Sequence, residues 1–242
     1  MITTPTPAFT PDSLAALFDG HPTALAAGLL GCRLTVVTAD GAVTVLLTET
    51  EAYGDQGVDP GAHSFRGRTE RNAALFGPVR RTYVYLNYGI HRCLNLVGHP
   101  EGEAGGVLLR SAEVLDGREL AVRRRGRDTG RRLLAGPGNL GQGLGITLGM
   151  GHVPVEILAA PPSSADLAAL PDDAAAPARF LLAPPAPPAP GESEDRPEHV
   201  EVSRGPRVGV SGEGGSVRFP WRFHLTGHPS VSAFRRGRNV PD

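Results

Sequence analysis

Val43–Tyr53 reads VTVLLTETEAY. Val43, Val45 and Leu47 alternate with Thr44, Leu46 and Thr48, the period-2 signature of a half-buried strand. Continued without interruption, the alternation puts Glu49, Glu51 and Tyr53 on the same face as the apolar residues. A rigid strand would then carry two carboxylates and a phenol from the core to the rim of a pocket. A strand end whose charges are merely solvated is the competing reading of the same letters.

Outward from this stretch the pattern is mostly strand. Arg33–Val37 forms a neighbour, joined through the hairpin signal Ala39-Asp40-Gly41. Upstream, Asp12 or Ser13 can cap a helix through Leu14–Phe18, and a second helix over Thr23–Leu30 ends at Gly31. Residues 1–10 read as a disordered tail. Downstream lies a polar, glycine-rich loop with His63, Arg66, Arg68 and Arg71, longer than a plain connector needs to be. His63 alone reads either as a hydrogen-bonded structural histidine or as a pocket residue.

Arg81–Leu86 and Ile90–Val97 are predicted strands meeting at Asn87-Tyr88-Gly89. An aromatic at a hairpin tip either folds back onto the sheet or is a wedge that enters a base stack. Tyr83 and Tyr85 share one face, as core or as the wall of a flat pocket. Asn95, between Leu94 and Leu96, points outward or is buried and hydrogen-bonded. Arg110 interrupts the apolar strand Val107–Leu115, so it points out of the core or at a partner carboxylate.

Composition narrows the chemistry. The chain has 242 residues, enough for one domain with a real core. No apolar run approaches membrane-spanning length, the first residues lack a signal-peptide pattern, and only Cys32 and Cys93 are present, without a zinc or iron–sulfur spacing. A cytoplasmic protein is expected, with no membrane association. All 24 basic residues are arginine, which excludes lysine Schiff-base chemistry and a phosphate-loop lysine. The net charge of −1 conceals an uneven distribution: residues 63–132 hold fourteen arginines against seven carboxylates, and residues 202–242 hold seven against two. Such segments suit phosphates even on a near-neutral protein. Ala135–Ile146 (AGPGNLGQGLGI) does not fit GxGxxG; it is better read as a turn and a short helix capped by Asn139, whose first amides could meet a phosphate. Residues 159–201, rich in Pro and Ala, read as a surface excursion. Arg207–Val210 and Arg218–Leu225 resume strand pattern, with Trp221 in the core, before a tail bearing Arg235, Arg236 and Arg238.

The strings LLGCRL, TETEAY, AHS at Ala62–Ser64, TERN, YVYLNYGIHRCLNLV, GVLLRSAE, AGPGNLGQGLGI and RVGV occur in order from Leu29 to Val210. Together they resemble the alkyladenine (3-methyladenine, methylpurine) DNA glycosylase family. The resemblance implies an α/β (α+β) fold: one domain over 11–242, built around a curved antiparallel sheet with a protruding hairpin and flanking helices. It implies a monomeric, monofunctional glycosylase of base excision repair, without metal or organic cofactor. Its partner would be double-stranded DNA, reached in the nucleoid. Alkylated or deaminated purines (3-methyladenine, 7-methylguanine, hypoxanthine, ethenoadenine) would be flipped out and released by hydrolysis.

By the same resemblance Glu51 is the general base for water and Arg110 helps hold that water or a phosphate. Val208 contributes through its backbone, and Tyr53, His63 and Tyr85 line the base pocket. Asn95 opposes the 2-amino group of normal guanine, Tyr88 is the wedge with Ile90 beside it, and Arg68, Arg71 and Asn139 meet the DNA backbone. Glu49 is expected to partner an arginine or backbone amides. Ile90 stands where the family usually has Met, and Asn87 and Arg92 replace apolar or aromatic residues. Among rivals, a catalytically silent nucleic-acid module would use Tyr83, Tyr85 and Tyr88 as stacking platforms. A sugar hydrolase using Glu49 and Glu51 would need carboxylates on opposite sides of a bond, which i, i+2 positions on one strand supply poorly. A base deaminase lacks its zinc pattern.

Overall fold

The computed structural model describes residues 9–168, 177–185 and 201–241, which form one domain. Helices α1 (Pro11–Leu17) and α2 (Pro22–Gly28) precede strands β1 (Arg33–Thr38) and β2 (Gly41–Tyr53). Next come β3 (Arg81–Asn87), β4 (His91–Val97), β5 (Gly106–Asp116) and α3 (Arg118–Arg125). The chain continues through β6 (Leu134–Ala135), α4 (Pro137–Gly143), β7 (Val155–Ile157) and α5 (Ser164–Ala168). It closes with β8 (Arg179–Ala183), β9 (Val202–Gly205) and β10 (Arg222–Leu225). The strand order is β3-β4-β5-β2-β1-β8-β7, with β6 on β5 and β10 bridging β2 to β9. The sheet is mixed rather than wholly antiparallel, because β7 and β8 run parallel.

β2 is the hub. One edge pairs with β5 along its length; the other pairs with β1 over Gly41–Leu46 and with β10 over Glu49–Glu51. The β2–β5 ladder contains three irregularities: one at its far end, where Thr44 pairs with Asp116 and Val45 with Val114, and two beside the acids. Leu47 pairs with Ala112, Glu49 with Ser111 and Thr50 with Leu109, so Thr48 on β2 and Arg110 on β5 have no opposite number. A bulge aims two successive side chains to one side and reverses the alternation beyond it. Val43, Val45, Leu47 and Ala52 therefore all lie in the core, and Thr50 bonds the Ala26 carbonyl in α2. Glu49, Glu51 and Tyr53 occupy the opposite face. The unbroken alternation expected from the sequence is thus corrected: the acids are turned away from the helix-covered core.

That core joins the sheet to α1, α2, α3 and α4 through residues such as Leu14, Phe18, Leu25, Leu96, Leu120 and Leu140. The first helix is capped by Thr10, not by Asp12 or Ser13; Ser13 is the reciprocal partner in a capping box. Asn139 does not cap α4. Gly136 holds the cap position with Pro137 at the first turn, and the Asn139 amide donates to the Ala135 carbonyl at 2.6 Å. Within the stretch expected to be a surface excursion, β8 inserts between β1 and β7 with Phe180, Leu181 and Leu182 buried. The surrounding Pro and Ala had diluted that apolar run. The rest of 159–201 at 169–176 and 186–200, and residues 1–8 of the expected tail, lie outside the described residues. Arg207–Val210 is loop rather than strand. Among the described residues no helix is long and apolar enough to cross a membrane.

Candidate active site

Across the face opposite the helices, one row of cross-strand partners runs Tyr83–Asn95–Leu108–Glu51–Arg222–Gly205. At one strand spacing per step, Glu51 sits roughly 10 Å from Asn95 and roughly 14 Å from Tyr83. The row therefore spans the size of a nucleotide on a rigid support.

At its centre Glu51 is 0% exposed. One carboxylate oxygen, Oε2, accepts from the Tyr53 hydroxyl at 2.9 Å and Arg110 Nη1 at 3.2 Å; the other, Oε1, accepts from the Val208 amide at 2.6 Å. A carboxylate offers about four lone-pair sites. Three are used, and the free one lies on Oε1 beside Val208. Burial raises the Tyr53 phenol well above its usual range, with the Glu51 charge adding to it, so Tyr53 is a donor here.

Glu49 is also fully buried and serves a different purpose. Its Oε1 accepts from Arg110 Nε (3.0 Å), Arg222 Nε (2.7 Å) and Ser232 Oγ (2.9 Å). Its Oε2 accepts from Ser111 Oγ (2.6 Å) and the Ser232 amide (2.8 Å). Burial alone would raise its pKa; the Arg110 charge, the Ser111 hydroxyl, Arg222 and Ser232 outweigh it and hold the group at about 2. Glu49 is thus the arginine-and-amide partner expected from its place on the strand. Each Arg110 nitrogen is engaged, the third donating to Ser232 Oγ at 3.2 Å, so three of its five N–H groups are used. Two carboxylates and two guanidinium groups make the cluster formally neutral, the condition on which such charges can be buried.

The aromatic wall stands at the other end of the row. Tyr83 and Tyr85 stack with centroids 5.7 Å apart, and the His63 ring meets Tyr85 edge-on at 4.5 Å. His63 Nδ1 lies 2.9 Å from the Tyr83 hydroxyl, and burial, then Arg71, lowers its pKa. Its loop is pinned: Ser64 Oγ donates to the Gly54 carbonyl at 2.6 Å and the Asn72 amide donates to the His63 carbonyl at 2.8 Å. Asn95 is buried, with its amide nitrogen donating to the Tyr83 carbonyl at 3.0 Å.

At the hairpin tip Tyr88 is 85% exposed and Ile90 69% exposed. Tyr88 (φ 49°) and Gly89 (φ 72°) both take positive φ, as a tight I′-type turn requires. Tyr88 does not fold back. Arg71 reaches the Leu86 carbonyl near this wall and Arg68 is exposed, whereas Asn139 sits on α4 with its amide bonded to the Ala135 carbonyl.

Several site residues were not foreseen. Asp59 and Arg207 form a fully buried ion pair, with Oδ1–Nη2 at 2.6 Å, and the guanidinium lies 4.6 Å from the Tyr53 ring centroid. This fixes the loop from which Val208 reaches Glu51. Arg222 and Ser232 come from positions more than 170 residues along the chain from Glu49. No local sequence signal marks any of these partners. Among the described residues no group of three or more His, Cys, Asp or Glu is arranged to hold a metal.

A buried carboxylate, an aromatic wall and an exposed aromatic hairpin tip on one rigid sheet face are the parts of a DNA glycosylase, a hydrolase of N-glycosyl bonds. Comparison with known proteins gives the same class. The family model described as methylpurine-DNA glycosylase matches residues 16–229. A protein of Leifsonia xyli subsp. xyli is 43% identical over 86% of this chain and 85% of its own length. One of Nocardia farcinica is 43% identical over 95% and 94%, and one of Corynebacterium efficiens 42% over 87% and 90%. All three carry the name "Putative 3-methyladenine DNA glycosylase". The chain belongs to the methylpurine-DNA glycosylase family.

Proposed function

We propose that this chain acts as a monofunctional glycosylase on purines such as 3-methyladenine, 7-methylguanine, hypoxanthine and ethenoadenine in duplex DNA. The immobilised Glu51 carboxylate, with one lone-pair site left over, carries the reading. A water bonded to Oε1 beside the Val208 amide gives its proton to Glu51 while its oxygen bonds C1′. The N-glycosidic bond breaks and its electron pair leaves with the purine. Arg110 holds Glu51 in place, and the carboxylate supplies the negative charge that faces the developing oxocarbenium ion. With no lysine amine for a Schiff base, the product is an abasic site with an intact strand.

Flipping costs a few kcal/mol of lost stacking, least for damaged bases. Tyr88, backed by Ile90, fills the vacated stack, and the extruded base lies between Tyr53, His63 and Tyr85. Asn95 opposes the 2-amino group of guanine, and Arg68 and Arg71 contact phosphates, with Asn139 a further phosphate contact on α4. The enzyme works as a monomer without metal or organic cofactor.

A positioned base is worth about 10²–10⁴-fold. Glu51→Gln should lower single-turnover release of hypoxanthine by at least that lower bound, with affinity for the same duplex within a few-fold of the parent. Retained excision by Glu51→Gln would refute the role of Glu51, and no base release by the parent from any of the four lesions would refute the activity.

A further inference from the structure

The C-terminal segment runs directly behind the catalytic groups. Ser232 bonds Glu49 through both its amide and hydroxyl, accepts from Arg110 Nη2, and takes Arg222 Nη2 on its carbonyl at 3.0 Å. Three residues on, the Arg235 carbonyl accepts from the Gly209 amide at 2.7 Å, and the Arg238 carbonyl accepts from Gly212 at 2.9 Å. Gly209 adjoins Val208, whose amide holds Glu51. The segment is seated flush on this loop: a Cβ on Gly237 would stand only 1.8 Å from the Val210 carbonyl oxygen. Chain length keeps the Arg235 Cα within about 11 Å of the Ser232 Cα.

Two of its exposed side chains, Arg235 and Arg238, have no hydrogen-bond or carboxylate partner among the described residues, whereas Arg236 bonds the Val240 and Pro241 carbonyls. Of the seven arginines at 118–132, four are engaged by groups of the chain itself, while Arg123, Arg127 and Arg132 stay exposed without such a partner among the described residues. There Arg118 pairs with Asp128, Arg124 with Asp40, Arg131 with Glu113, and Arg125 donates to the Leu133 carbonyl. Two unpaired guanidinium groups on a fixed backbone beside the reacting centre form a ready site for phosphodiester oxygens.

We propose that Arg235 and Arg238 bind backbone phosphates of the substrate duplex, forming a contact at the catalytic edge separate from the hairpin. The inference rests on DNA being the substrate. Each such contact releases counterions and contributes about 0.9 to the slope of log affinity against log salt.

The test is equilibrium binding of the full chain to a duplex bearing a tetrahydrofuran abasic analogue, titrated from 50 to 200 mM KCl. The double variant Arg235→Gln/Arg238→Gln should show a slope smaller by about 1.8, so that it loses roughly 12-fold less affinity than the parent across that range. Arg235→Lys/Arg238→Lys, which keeps both charges, should restore the parental slope. A glutamine variant with the parental slope would overturn the proposal, as would a lysine variant that behaves like the glutamine one. The slope reports binding alone, so failure here leaves excision of hypoxanthine by the parent chain as an independent test of the glycosylase reading.

Discussion

Replacing Asp59 by asparagine would leave the Arg207 guanidinium buried with its charge uncompensated. Neither side chain is exposed, and the pair is bidentate, at 2.5 and 2.6 Å. Removing one partner of a buried pair costs about 3–5 kcal/mol, which is a large share of a domain's typical 5–15 kcal/mol. In a chain of this size that lowers the melting temperature by roughly 6–20 °C, measurable by thermal or urea unfolding.

Exchanging both partners for apolar residues is often neutral. Here it should not be. Arg207 also donates to the Ala52 and Gly214 carbonyls, and Asp59 accepts from the Gly54 and Gly61 amides. An Asp59→Leu/Arg207→Met double variant orphans four backbone groups at about 1–3 kcal/mol each, so it should be no more stable than Asp59→Asn. A loss below about 1 kcal/mol for Asp59→Asn, or parental stability in the double variant, would refute the claim that the pair organises this loop.

Glu49, held at about 2 in the folded chain against 4.5 as its ordinary value, contributes stability that is complete above pH 4.5 and disappears as pH falls through about 2. The gap is worth about 3 kcal/mol, so the stability difference between the parent and Glu49→Gln should narrow from pH 5 to pH 3 in urea titrations; parallel profiles would refute it. Tyr88 pays for its positive φ, about 1 kcal/mol or more for an ordinary L residue. Tyr88→Asn should therefore raise stability by about 1 kcal/mol while weakening binding to a hypoxanthine duplex, and a fall in stability would contradict the turn geometry.

Much of the sheet could be read in advance because its information is local. Tyr83, Val84 and Tyr85, Leu94 and Leu96, and Val107–Leu109 advertise strands by residue type and spacing, and Asn87-Tyr88-Gly89 advertises the tip. The bulges at Thr48 and Arg110 escaped, because an extra residue among polar neighbours leaves no mark on a hydrophobic pattern. Glu49 and Glu51 were legible as a pair and Arg110 as an intruder in an apolar run. Their other partners were not. Arg222, Ser232 and Arg207 reach the site only through tertiary folding, and Arg207 inside RVGV reads locally as a strand residue. The five residues of β8 were masked by the prolines and alanines around them.

The bulges at Thr48 and Arg110 have a consequence for crowding. At that level of the sheet a regular pleat would offer one side chain from each strand, whereas β2 and β5 each offer two. Thr48, Glu49, Arg110 and Ser111 therefore share a patch sized for two residues. Deleting Thr48 and Arg110 together would restore an even ladder from the Val45–Val114 pair to the Tyr53–Gly106 pair, leaving only the shift at Leu115. It would also halve the number of polar groups per unit of sheet, and the guanidinium between the two acids would be gone. A small domain concentrates its polar groups here by adding one residue to each of two neighbouring strands, without an extra loop or helix.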